Sequence, residues 1–256
     1  EDRNTREILF GAAAERQFGE WGALRVKASR ASRREELDSP GIDPEPNNPF
    51  NFNVVPRTRA GDEYVRWDAG LSSELTPPSL DIAGVSTRSR IVTGLDFVWE
   101  EGESDSYLDL GFGLTRFPFF EKRRTMGIFA EVEESIGPYV TLGGSLRFDS
   151  TPDEKDRLSP AVGLTIRVPN STLSVFGNYG EGFKRPSFYA LRNPLVGNPL
   201  LLVEKSRGWE VGLKAHAFDR KLTGQISYFA LEVKDIIDFD LYFADSNPSS
   251  YVGLNQ

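Results

Sequence analysis

The chain has 256 residues, with 38 acidic and 30 basic side chains, one histidine, one methionine and no cysteine. Zero cysteines exclude disulfide scaffolds, Cys-zinc sites and thiol catalysis, and one histidine leaves too little for a His-based metal cluster or a Ser-His-Asp triad. A formal charge of −8 points away from nucleic acid, whose binders carry a basic footprint.

In chain order, Phe18-Gly19-Glu20-Trp21-Gly22 reads as a tight turn, and Glu35–Gly61 as a long polar loop. Thr76-Pro77-Pro78 to Ser86 marks a somewhat longer break. Ile91, Thr93, Leu95, Phe97 and Trp99 then alternate with Val92, Gly94, Asp96 and Val98, which is the period of a strand. A polar stretch, Glu101–Arg123, follows and reads as a loop. Met126, Ile128, Ala130 and Val132 oppose Thr125, Gly127, Phe129, Glu131 and Glu133. Beyond Gly137-Pro138, Val140, Leu142, Leu146 and Phe148 fall on one face, with Arg147 and Asp149 on the other. Val162, Leu164, Ile166 and Val168 oppose Thr165 and Arg167 after the loop Ser150–Arg157. Pro169-Asn170-Ser171 turns the chain again. The loop Phe183–Lys205 precedes Val211, Leu213, Ala215 and Ala217, which oppose Glu210, Lys214 and His216. Asp219-Arg220-Lys221 is the last tight turn and Lys234–Ser250 the last long loop.

Connections thus alternate short and long throughout. Strand runs of about 10 to 13 residues exceed the usual soluble length of about 5 to 6. No run approaches the about 20 apolar residues of a membrane helix; the longest uncharged run, Val168 to Gly180, holds a proline and two glycines. The expected fold is all-β: an antiparallel, up-and-down transmembrane β-barrel, here a partial barrel of ten strands and the start of an eleventh. On that fold Val140, Leu142, Leu146, Phe148, Val162, Leu164, Ile166, Val211 and Leu213 face lipid, while Arg147, Asp149, Arg167, Glu210 and Lys214 face the lumen. A soluble sandwich would bury the first set and wet the second, so residue type alone leaves that alternative open. Nothing has the spacing of a nucleophile elbow, a phosphate loop or a zinc helix, so no catalytic set is assigned. His216 reads as an ordinary lumen-facing residue. Asp38, Asp43, Glu45, Asp62 and Glu63 fit no calcium loop and read as a solvated acidic loop. Phe50, Phe52, Phe117, Phe119, Phe120, Phe188 and Tyr189 read as exposed loop aromatics.

The run Phe176-Gly-Asn-Tyr-Gly-Glu-Gly-Phe-Lys-Arg-Pro-Ser-Phe-Tyr-Ala-Leu191 resembles a stretch of TonB-dependent outer-membrane receptors. Asn198-Pro199 and Glu204-Lys-Ser206-Arg-Gly-Trp-Glu210-Val-Gly212-Leu continue the likeness, as do Gly127–Glu131, Gly144–Asp149, Tyr228-Phe229 and Val233–Asp238. Tyr251 and Asn255 stand where the next strand often opens. Val203 departs from the family, which usually has proline there. The resemblance assigns structural motif roles to Phe183, Pro186, Asn198, Pro199, Glu204, Ser206, Glu210 and Gly212. It makes Lys184, Arg185, Phe188, Tyr189 and Arg192 the outer-loop candidates for ligand contact. It implies a receptor-transporter in the outer membrane of a Gram-negative bacterium, without cofactor or enzymatic activity. Its partners would be a nutrient at the outer loops, the lipid bilayer, and a TonB-type protein that acts through a plug domain. Since that family's barrels have 22 strands, residues 1–256 are expected to be an internal barrel segment without the plug. Siderophore-type iron chelates, corrinoids or oligosaccharides are the implied cargo. The lack of a histidine at Asn193–Gly197 argues against haem. A passive porin-like channel and a secreted soluble β-module are the competing functions.

Overall fold

The computed structural model describes residues 2–41, 56–109, 113–152, 154–194, 197–219, 221–239 and 253–255. Its strands are β1 (Asp2–Phe18), β2 (Gly22–Ser39), β3 (Thr58–Leu75), β4 (Leu80–Ile82), β5 (Val85–Asp109), β6 (Leu114–Ile136), β7 (Val140–Ser150), β8 (Arg157–Arg167), β9 (Leu173–Lys184), β10 (Glu204–Ala217), β11 (Leu222–Lys234), β12 (Ile237–Phe239) and β13 (Gly253–Asn255). One five-residue helix, α1 (Phe188–Arg192), interrupts them. Ten strands follow one another in a single antiparallel sheet, β1-β2-β3-β5-β6-β7-β8-β9-β10-β11, with β4 folded back on β5. β12 and β13 pair separately.

Tight reversals gather at one end of the sheet because their residues accept left-handed backbone. Gly19 and Gly137 take φ of +66° and +55°, and Asn170 takes +55°. The opposite end carries the long connections. A sandwich does not sort its turns in this way, and the long strands form one sheet rather than two packed ones.

The alternation becomes an outside and an inside. Register aligns Val26, Leu71, Leu95, Ile128, Phe148 and Leu158 across six neighbouring strands. A second row joins Val132, Gly144, Val162, Tyr179 and Trp209. Apart from Leu95, which is half-buried, these residues are exposed on the convex face, as are Leu142, Leu146, Leu164, Ile166, Val211 and Leu213; Val140 is half-buried. From Trp209 to Phe218, about nine residues at roughly 3.3 Å each and about 40° of tilt give an apolar band roughly 23 Å high, matching the apolar band of outer-membrane barrels.

The concave face is polar and locked. Arg147 reaches Asp96 at 2.9 Å and grips Asp149 through Nε and a terminal nitrogen. Lys27 Nζ closes on the other Asp96 oxygen at 3.2 Å. Residues from β2, β5 and β7 are therefore tied together across the inner wall. Gly212 lies under the ring of Phe176, whose Cζ would sit 2.5 Å from any β-carbon there, so close approach requires glycine. Glu210 stands opposite Asn178, and His216 meets the Thr223 hydroxyl at 3.0 Å.

One expected loop proves to be largely strand, and another is shortened at both ends. Residues 101–109 and 114–123 extend β5 and β6 as a tall hairpin, and Glu35–Gly61 narrows because β2 runs to Ser39 and β3 begins at Thr58. Hydropathy misses these extensions because both faces stand in water beyond the apolar band. The wall is consequently uneven: β5 and β6 have 25 and 23 residues, β7 and β8 only 11 each. Phe117, Phe119 and Phe120 lie on β6 rather than in a loop, whereas Phe50, Phe52, Asp43, Glu45 and Tyr251 fall outside the described residues.

Candidate functional site

Above the apolar band, three successive concave rows cross β2, β3, β5 and β6. They read Ala31, Arg66, Glu100, Arg123; then Arg33, Tyr64, Gly102, Glu121; then Glu35, Asp62, Ser104, Phe119. In the first row, Arg123 Nε donates to Glu100 at 2.8 Å and the Tyr64 hydroxyl donates to the other oxygen at 2.6 Å. Glu100 is buried, and the side chains of both ion-pair partners are 12% exposed. Arg66 turns instead to Asp68, which it grips through two nitrogens.

The β9–β10 connection folds onto these rows. Pro186 is buried and cannot extend the ladder, and its carbonyl accepts from Arg123 at 3.1 Å. Ser187 then caps α1, its hydroxyl accepting from the Ala190 amide at 3.1 Å. Phe188 drops onto Gly102, the side-chain-free position in the middle row, with its ring under the Arg123 guanidinium at 4.8 Å and beside Tyr64 at 6.3 Å. At 7% exposure Phe188 is an anchor, correcting its reading as an exposed loop aromatic. The sequence hides this because the socket is a glycine far away in the chain.

Tyr189 remains 44% exposed and packs edge-on to Phe119 at 6.3 Å. Burial of its phenol, with the Asp62 carboxylate nearby, pushes its pKa up. After the helix, the Asn198 amide donates to the Ala190 carbonyl at 2.7 Å, while its side chain accepts from Leu200. Pro199 follows, exposed, in the turn. At the ends of the paired strands, Phe183 stands opposite Lys205 under the Arg185 guanidinium, and Ser206 stands opposite Gly182. Glu204 accepts from the Ile237 amide at 2.9 Å and from Lys184 at 3.0 Å, joining β9, β10 and β12.

Between strap and wall lies a cavity of about 510 Å³, lined by Arg33, Glu35, Asp62, Tyr64, Glu100, Phe119, Arg123 and residues 184–190. Lys184, Arg185, Phe188 and Tyr189 therefore come together. Arg192 does not line it: its guanidinium pairs with Glu121 on β6. Arg185 bonds Glu154 at 2.9 Å, yet one terminal nitrogen is buried without a partner among the described residues, and so is one oxygen of Asp62. Polar atoms held in this state, beside aromatic faces, suit a ligand carrying both polar groups and apolar surface. Asp62 and Glu63, expected in an acidic loop, lie on β3, and Asp38 is engaged by Arg59 at 3.1 Å. Tyr64, Glu100 and Arg123 escaped the sequence reading because only register places them side by side.

Gly102→Val is expected to unseat Phe188, since overpacking costs about 1–3 kcal/mol. Hydrogen exchange of amides 188–193 in the full receptor should accelerate at least about tenfold while amides of β7 stay unchanged. Unaltered exchange in α1 would contradict the socket.

A wall of long antiparallel strands, apolar outside, polar inside, with turns at one end and folded loops at the other, is that of a Gram-negative outer-membrane β-barrel. The chain matches the model of the TonB dependent receptor-like β-barrel over residues 2–255 and belongs to that family. It is 32% identical over 100 residues to the vitamin B12 transporter BtuB of Vibrio vulnificus (strain YJ016), covering 39% of this chain and 16% of that protein. Its fold is similar to that of the copper transporter OprC (TM-score 0.65, 17% identity, covering 99% of this chain and 41% of that one). It is likewise similar to the pyoverdine outer membrane receptor FpvA from Pseudomonas aeruginosa PAO1 (TM-score 0.65, 17% identity, 99% and 40%). The chain thus spans less than half the length of each of these relatives.

Proposed function

We propose that residues 1–256 form part of the wall and outer mouth of a receptor that binds a scarce nutrient and imports it with TonB-coupled energy. The family match over residues 2–255 carries this reading. Ligand contact is assigned to the cavity between α1 and the tall strands, with Lys184, Arg185 and Tyr189 reaching the cargo and Phe188 holding the strap. Arg192 is reassigned to fastening α1 to β6. A TonB-type protein would act through a plug domain. Metal chelates and corrinoids lead as cargo, with siderophore-type iron chelates first; relatives described as a vitamin B12 transporter and a pyoverdine receptor support these two classes.

The test expresses the full receptor in a Gram-negative host lacking its own chelate and corrinoid receptors, with and without the host's TonB. Growth should be restored by a ferric siderophore or by cobalamin, and only in the TonB-positive strain. Uptake that persists equally without TonB would replace the receptor with a passive channel.

A further inference from the structure

On the convex face, one register row reads Phe10, Arg30, Trp67, Trp99, Arg124 across β1, β2, β3, β5 and β6. It stands where the apolar band ends on these strands. One row toward the turns lie Ala28, Ala69, Phe97 and Met126; one row outward lie Ser32, Val65, Glu101 and Lys122. Trp67 and Trp99 are 51% and 41% exposed. The Arg30 guanidinium sits 5.3 Å from the Trp67 ring centre and that of Arg124 4.9 Å from Trp99.

Each cation is held by an aromatic face, and neither has a carboxylate partner among the described residues. Among the described residues Arg30 bonds only the Ser32 hydroxyl, at 3.5 Å. Ring faces leave the guanidinium edge, with its fork of donors, turned to the surroundings. In the outward row Glu101 is neutralised by Lys122 at 2.7 Å. Glu63 and Glu103, which have no cation partner among the described residues, come one row further out, four residues along each strand, about 13 Å away and beyond a Debye length of about 8 Å. Two unneutralised guanidiniums at a membrane boundary, above apolar surface and beside tryptophans, match an acylated headgroup bearing phosphate.

We propose that the Arg30–Trp67–Trp99–Arg124 row is a binding site for a phosphorylated lipid headgroup of the outer leaflet. Its acyl chains would lie along Phe97, Met126, Leu71 and Ile128. The site is on the opposite face of the wall from the cavity and is independent of the cargo.

Native mass spectrometry of the full receptor in detergent tests this with bisphosphorylated lipid A, its dephosphorylated form, and inorganic phosphate. Wild type should retain the bisphosphorylated lipid and bind the dephosphorylated one much more weakly. Arg30→Gln/Arg124→Gln should weaken the first by about thirtyfold and leave the second unchanged. Arg30→Lys/Arg124→Lys should recover part of the loss by restoring charge without the fork. Equal binding of both lipids, no effect of the double substitution, or competition by inorganic phosphate at the lipid's own concentration would overturn the proposal. Where the double variant fails to insert, the phosphate dependence of wild type alone decides.

Discussion

Val162→Arg is expected to destabilise the folded receptor by about 2–4 kcal/mol, the cost of an arginine on the lipid face near the middle of a barrel's apolar band. Val162 is 49% exposed on the convex face and lies midway along β8. Thr165→Arg, on the same strand but facing inward, should change stability by less than about 1 kcal/mol, because the lumen hydrates the charge. Unfolding of both variants by denaturant from lipid vesicles gives the comparison. Equal costs at the two sites would mean that the convex face does not meet lipid.

Arg123→Ala should have a comparable effect, confined to the rim. It leaves the Glu100 carboxylate buried with only the Tyr64 hydroxyl, and removes the donor to Pro186. Breaking one side of a buried pair costs about 3 kcal/mol or more, whereas neutralising both members costs much less. Hydrogen exchange should therefore report local opening of β3, β5 and α1 easier by about 3 kcal/mol in Arg123→Ala. Glu100→Gln/Arg123→Ala should be well short of the sum of the two single changes. Strict additivity would show that the pair does not hold the strap.

Sequence alone located the barrel for a physical reason. Lipid contact enforces alternation at Val140–Phe148 and Val162–Ile166, and each tight reversal needs left-handed or proline-bearing residues such as Gly137-Pro138. Once the strands leave lipid, that pressure disappears. Residues 101–123 accordingly read as loop although they form the tallest hairpin. The cavity was partly legible: the Phe183–Pro186 motif pointed to Lys184, Arg185, Phe188 and Tyr189. Its opposite wall was not, because Tyr64, Glu100 and Arg123 come from three strands whose meeting depends on register. Arg192 stands outside the cavity, its guanidinium paired with Glu121, a partner 71 positions away that only the fold brings near.

The uneven strand heights separate two kinds of heredity. No residue of β7 or β8 lines the cavity, and no residue of the convex band within β7–β8 takes part in the rim network. Selection can rewrite residues 33–35, 62–64 and 100–123, and with them what is recognised, without disturbing the stretches that seal the membrane. Recognition in such a wall evolves as a trim on an unchanged hull.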